Sequence, residues 1–240
     1  MLTGLPVIYG IDPYTSETVP SVPLGAIGYS NDGRKFRYCK NNATNAMVAG
    51  DVQQAPAEDT GDQNLTVNVA AAIGSKTVSV ASATVTANQY ADGYLAVTGT
   101  AGNGLYYKIK SHPAATAATL VLNLYDPIKV ALTTSSTVDL VANPYNGVII
   151  NPTTASSSIA GVAMTAVAAS SYAWIQTGGP GIVTAGAGTA LTVGAEVVAS
   201  NGTAGSVETG ADATDAQSIV GVAITGVAAG ESGMVMLTID

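Results

Sequence analysis

From Asp62 to Pro144 apolar and polar side chains alternate in short runs, LTVNVAAAI, KTVSVASATV, YLAVTG, GLYYKIK, TLVLNLY and VDLVA, separated by Gly, Asn and Asp. Period-two alternation over four to eight residues predicts half-buried antiparallel strands. In GLYYKIK the pattern puts Leu105, Tyr107 and Ile109 on one face and Tyr106, Lys108 and Lys110 on the other. In TLVLNLY, Leu120, Leu122 and Leu124 oppose Val121, Asn123 and Tyr125. Both of those faces are partly apolar, which predicts a second layer over this strand.

Upstream the pattern changes. Pro6, Pro13, Pro20 and Pro23 prevent a regular helix or central strand across residues 1–24 and predict an extended N-terminal arm. A hairpin follows: AIGYS, the turn Asn31-Asp32-Gly33, then RKFRY, with Phe36 and Tyr38 on one face and Lys35 and Arg37 on the other. The acidic stretch Ala55–Gln63, poor in β-branched residues, reads as a linker. Ala114–Ala118 has helical propensity but no amphipathic stripe, and reads as strand edge and turn.

Downstream the chain repeats itself. SIAGVAMTAVAA at Ser158–Ala169 and SIVGVAITGVAA at Ser218–Ala229 share nine of twelve residues at an offset of sixty. YAWIQT follows the first copy and GMVMLTID the second, which predicts a duplicated strand-turn-strand unit. The expected fold is all-β: small antiparallel β-barrel or sandwich domains with an extended N-terminal arm. The segments are 1–61 (arm and basic hairpin), 62–150 (antiparallel β domain) and 151–240 (barrel-like domain with the duplicated unit). In the last strand Met234 and Met236 face away from Val235, Leu237 and Ile239, so they either pack in a core or meet another subunit.

Composition narrows the function. Hydrophobic residues make up 47%, mostly Ala and Val, against 10% charged and 27 Gly, which suits thin β layers with tight turns. No window holds eighteen apolar residues, and the first residues have neither the basic region nor the apolar core of a secretion signal, so neither a membrane span nor Sec-type export is expected. The net charge of −8 argues against general nucleic-acid binding. All eight basic residues lie at or before Lys129, and Arg34, Lys35, Arg37 and Lys40 cluster, so the chain has either a basic docking end and an acidic exposed end or an ordinary basic hairpin.

Chemistry is sparse. The single His, His112, and single Cys, Cys39, supply neither a catalytic constellation nor a metal-ligand pair, and the glycine runs at Gly99–Gly104 and Gly178–Gly181 lack the ending of a phosphate loop. No catalytic, cofactor-binding or metal site is expected, and no cofactor. Tyrosine stands out, with eleven residues against one Trp and one Phe. Its ring and hydroxyl suit subunit interfaces and sugar surfaces alike.

LGAIGYSNDGRKFRYCKN, YYKIKSHP, DPIKVAL, NPYNGVIINP and GVAMTAVAASSYAWIQTGGP resemble segments of tailed-bacteriophage virion structural proteins, and VGVAITGVAAGESGMVMLTID resembles the closing hairpin of head-decoration proteins. The resemblance implies a non-enzymatic protein made in the host cytoplasm and mounted on the outer capsid surface. It further implies a homotrimer that binds the major capsid protein and cements the head, with no nucleic-acid or membrane partner. The expected capsid contacts are Tyr9, Tyr14, Tyr29, Arg34, Lys35, Arg37 and Tyr38, and the expected oligomer interface is Met234 with Met236. Removing residues 1–24 is expected to abolish capsid binding without unfolding the rest. The alternative is a receptor- or carbohydrate-binding module of the head surface or tail, presenting Tyr90, Tyr94, Tyr106 and Tyr107 to a glycan; a surface-layer subunit is a third reading.

Overall fold

The computed structural model describes residues 5–81, 84–116, 118–210 and 217–240. The chain is all-β. Its strands are β1 Val7–Tyr9, β2 Ser16–Glu17, β3 Ile27–Tyr29, β4 Lys35–Asn41, β5 Val52–Gln54, β6 Leu65–Val69, β7 Thr77–Ala81, β8 Tyr94–Gly99, β9 Tyr106–Ser111, β10 Thr119–Leu124 and β11 Thr137–Val141. They continue as β12 Asn146–Ile150, β13 Ile159–Ala163, β14 Tyr172–Thr184, β15 Glu196–Ala199, β16 Val207–Thr209, β17 Ile219–Ala223 and β18 Ser232–Thr238, and a 3-10 turn occupies Thr60–Asp62. Two compact units result: one holds Glu58–Asn143, the other Leu5–Ala57 together with Pro144–Asp240. The segment read from sequence as a separate arm and hairpin therefore folds with the C-terminal segment, because β4 pairs with both β12 and β14.

The unit Glu58–Asn143 is a closed six-stranded barrel in the order β10-β7-β6-β11-β8-β9. Alternation sorts its side chains as the sequence predicts: Tyr107 and Ile109 are buried while Tyr106 and Lys110 stand in solvent. Leu120, Leu122 and Leu124 also point inward, but Val121 is exposed. Among the described residues no second layer covers Val121, because a barrel closed on itself buries one face of each strand only.

The other unit is two smaller rings that share one long strand. β4, β12, β5, β13 and the first half of β14 pair in succession and return to β4. Cys39, Met47, Val148, Ala160, Ala163, Val167, Ala173 and Ile175 form a core here. The second half of β14 pairs with β18, followed by β17, β15 and β16, and the parallel bridge Ala185–Val207 closes the circuit. Val183, Leu191, Val197, Val207, Val220, Val235 and Leu237 fill that core, which also takes in Val52 and Val162. Outside the first ring the N-terminal arm lays Ile8, Ile11, Val22 and Leu24 against buried Ala26, Phe36, Tyr38 and Trp174. Deleting residues 1–24 would thus uncover an apolar cluster as well as remove a contact surface, contrary to the clean separation expected from sequence.

The duplicated unit is a duplicated hairpin, β13–β14 and β17–β18, each closed by an antiparallel bridge to an upstream segment, Met47–Val167 and Leu191–Val227. The close approach at its centre requires glycine: a Cβ on Gly161 would lie 2.9 Å from the Gln176 carbonyl oxygen, and one on Gly221 2.0 Å from that of Met236, sixty residues on. A third instance lies in the six-stranded barrel, where Ala71 bridges Leu132. Each of the six bridge residues is followed by a two-residue turn and then a strand. The accompanying backbone bonds match: Gly50, Gly194 and Gly74 donate to the carbonyls of Ala163, Ala223 and Ile128, whose own amides donate back to Asp51, Ala195 and Ser75. The same bridged-turn device therefore recurs in all three rings.

Candidate interaction surface

The hairpin β3–β4 carries the cluster of cations, and the fold uses them internally. The Arg34 guanidinium sits 2.7 Å from Asp32 and stacks 5.5 Å from the Phe36 ring centre. Lys35 lies 3.3 Å from Asp240, which also accepts a hydrogen bond from Arg37 Nε. Arg37 further donates to the Gly25 carbonyl at 2.9 Å and lies over Tyr145. Lys40 lies over the Tyr172 ring. The hydrogen bond from Arg37, with the two neighbouring cations, holds the Asp240 carboxyl below the ordinary value of 3.8 despite partial burial.

A group whose folded value is depressed contributes stability above its unfolded value and loses it as pH falls through the folded one. Asp240→Asn is accordingly expected to lower the denaturation midpoint modestly at pH 7 and pH 5, with the gap to wild type narrower at pH 3, below the ordinary value of 3.8. Urea titrations at the three pH values measure it.

Of the four tyrosines expected on this surface, Tyr38 is fully buried. Its hydroxyl donates to Glu17 at 2.8 Å and accepts from the Ser21 amide at 3.2 Å, and its ring meets Trp174 edge-on at 5.1 Å. Burial pushes that hydroxyl's pKa up. Tyr38 is therefore a core residue that anchors the arm, and cannot touch a partner as expected. Tyr9 and Tyr29, paired in the parallel register of β1 and β3, stack at 5.5 Å with Tyr9 76% exposed. Tyr14 is exposed too, its backbone turned by Asp12. Those three remain available for contact.

On the second ring, Met234 and Met236 lie on the outward face of β18. Met234 is half-buried opposite Ile182, while Met236, exposed, stands between Pro180 on β14 and Val222 on β17. Ile182, Val222 and Ile224 are each exposed by more than 40%. Sequence reasoning found the two methionines from alternation in the last strand, but missed their neighbours, since sheet register brings them together across fifty residues. Glu196 faces Val222 from β15 at the edge of this strip.

The titratable groups singled out in the sequence are engaged elsewhere. His112 is buried in the barrel unit, its Nε2 accepting the Tyr90 amide at 3.0 Å and its Nδ1 facing the Pro113 carbonyl at 2.8 Å. With Nε2 accepting, Nδ1 is the donor to that carbonyl, so both ring nitrogens are committed. The Tyr90 hydroxyl donates to the buried Asp62, and burial with that bond raises its pKa. Cys39 is buried, and desolvation pushes its thiol far above the ordinary value. Of the tyrosines proposed for a glycan, Tyr90 and Tyr107 are buried and Tyr106 is exposed with Tyr94 beside it.

Among the described residues no group of three or more His, Cys, Asp or Glu side chains is placed to hold a metal, and no helix is long and apolar enough to cross a membrane. The chain matches no family model, no curated protein and no solved structure.

Proposed function

We propose that this protein is a structural decoration protein of a tailed bacteriophage, a non-enzymatic subunit that binds the major capsid lattice from outside and stabilises the head. The observation that carries the reading is the strip formed by Ile182, Val222, Ile224 and Met236, an exposed apolar face on the outer side of a sheet. Contiguous apolar surface of this kind is characteristic of protein–protein contact. The phage-like segments from AIGYS to YAWIQT supply the identity of the partner by resemblance, and Tyr9, Tyr14 and Tyr29 supply a second contact surface rich in ring area. The reading includes self-assembly as a homotrimer through Met234 and Met236. Weak contacts of this kind, repeated by every copy, sum over a symmetric shell.

Added to purified heads that lack it, the wild-type protein is expected to cosediment to a saturating ratio. Ile182→Asp with Met236→Asp should reduce occupancy at least about tenfold, since charges cannot be desolvated cheaply at a packed contact. Both residues are surface-exposed, so circular dichroism of the variant should match wild type. Undiminished binding by the folded double variant would remove the strip from the account.

A further inference from the structure

The barrel unit carries a surface that the decoration role does not use. Three cross-strand neighbours lie in a row on its outward face: Asp139 on β11 pairs with Ala96 on β8, which pairs with Tyr106 on β9. Strand spacing sets the two ends of the row about 10 Å apart. Tyr106, 70% exposed, is a wall of bare ring, Ala96 is a low floor, and Asp139 is the opposite wall. The next row along the same three strands holds Val141, Tyr94 and Lys108.

The ledge is rigid. Tyr94 meets Tyr106 edge-on at 5.8 Å, and the Lys108 ammonium lies 6.0 Å from the Tyr94 ring centre. Asp139 Oδ1 is fixed by the Asn64 amide at 2.7 Å and by the Thr98 hydroxyl at 3.4 Å. That orients the carboxylate while Oδ2 carries none of these bonds. An aromatic face, a small-residue floor and a fixed acceptor two strand spacings away make an unusual surface for a protein partner, whose side chains would have to fill a shallow step. They match a pyranose, which has one C–H face that stacks on an aromatic ring and a rim of hydroxyls that donate to a carboxylate.

We propose that the row Tyr106–Ala96–Asp139 is a binding site for a neutral hexopyranose unit of a surface polysaccharide, with Tyr94 and Lys108 bordering a second unit. The proposal is independent of the decoration reading: a sugar-binding ledge could serve any exposed protein. Tyr106 contributes the stacking face, Asp139 accepts from vicinal hydroxyls, and Lys108 donates to a ring or hydroxyl oxygen of the neighbouring unit. Shallow one-ring sites of this kind bind with Kd on the order of 1 mM.

The test is saturation-transfer NMR on the full chain with neutral gluco-, galacto- and manno-oligosaccharides, and with a sialylated oligosaccharide alongside. A saturable signal is expected from at least one neutral sugar, weakened about tenfold or more in Tyr106→Ala. It should be unchanged in Tyr9→Ala, which removes an equally exposed ring from the other unit. Both tyrosines are at the surface, so each variant should keep the wild-type circular dichroism spectrum. Absence of saturation with every neutral sugar overturns the proposal. So does binding restricted to the sialylated probe, binding indifferent to Tyr106→Ala, or equal loss in Tyr9→Ala.

Discussion

Gly221→Ala is expected to destabilise the chain by about 3 kcal/mol, the upper end of what overpacking a core costs. The added methyl would sit 2.0 Å from the Met236 carbonyl oxygen and 2.8 Å from its carbon, both backbone atoms of the strand that pairs with β17. A side chain could rotate away, but a ladder cannot. Separating β17 from β18 by the required distance breaks the pairing of Val222 with Met236 and opens the core beneath Val220 and Val235. Gly188→Ala is the control: its added methyl meets nothing within 4 Å, and its effect should stay within about 0.5 kcal/mol. Thermal and urea denaturation of the two variants measure the contrast. A Gly221→Ala protein as stable as Gly188→Ala would mean that the second ring is not closed as described.

Tyr90→Phe is expected to be comparably damaging to the barrel unit. Asp62 is fully buried, its Oδ1 has no hydrogen-bond partner, and its Oδ2 takes the bond from Tyr90. Removing that donor strands a buried carboxyl group, and leaving such a group unpaired costs about 1–3 kcal/mol, more when it is charged. The loss should appear as a lower denaturation midpoint with the sheet signal of the other unit retained. Asp62→Leu combined with Tyr90→Phe should cost less than the sum of the two single changes, because removing both partners leaves nothing unsatisfied. Strict additivity in that cycle would show that the pair is not coupled.

The all-β class and the facing of individual strands were legible because a strand writes its exposure at every second residue. Leu105, Tyr107 and Ile109 follow that rule, and so do Val235 and Leu237 against Met236. The same phase already implied that Tyr107 is inside, at odds with counting it among sugar-contacting residues; Tyr90, in a turn without periodicity, carried no such signal. The sixty-residue repeat was legible as identity. Its relation to the barrel unit was not, since the closure device asks only for an apolar bridge residue and a tight turn, which Met47-Val48-Ala49-Gly50 and Leu132-Thr133-Thr134-Ser135 satisfy with different side chains.

The basic hairpin shows the other limit. Four cations in seven positions are plain in the sequence, but the partner of Arg37 and Lys35 is Asp240, two hundred residues away, and nothing local announces it. Charge read along the chain left open a docking patch or an ordinary basic hairpin, and the fold ties Lys35 and Arg37 to Asp240, Arg34 to Asp32 and Lys40 to the Tyr172 ring. Tyr38, read by type as a contact residue, is drawn inside by its alternation with Phe36 and by a hydrogen-bond partner, Glu17, in the arm. The exposed strip around Met236 was only half visible, since register between β14, β17 and β18 sets its membership.

A cryo-electron-microscopy reconstruction of phage particles assembled in the presence of this protein tests the proposed decoration role most directly. The account predicts density on the outer face of the head over capsomer junctions, with the strip of Ile182, Val222, Ile224 and Met236 turned into a contact. Density confined to the tail, or a head surface bare of this protein, would contradict it.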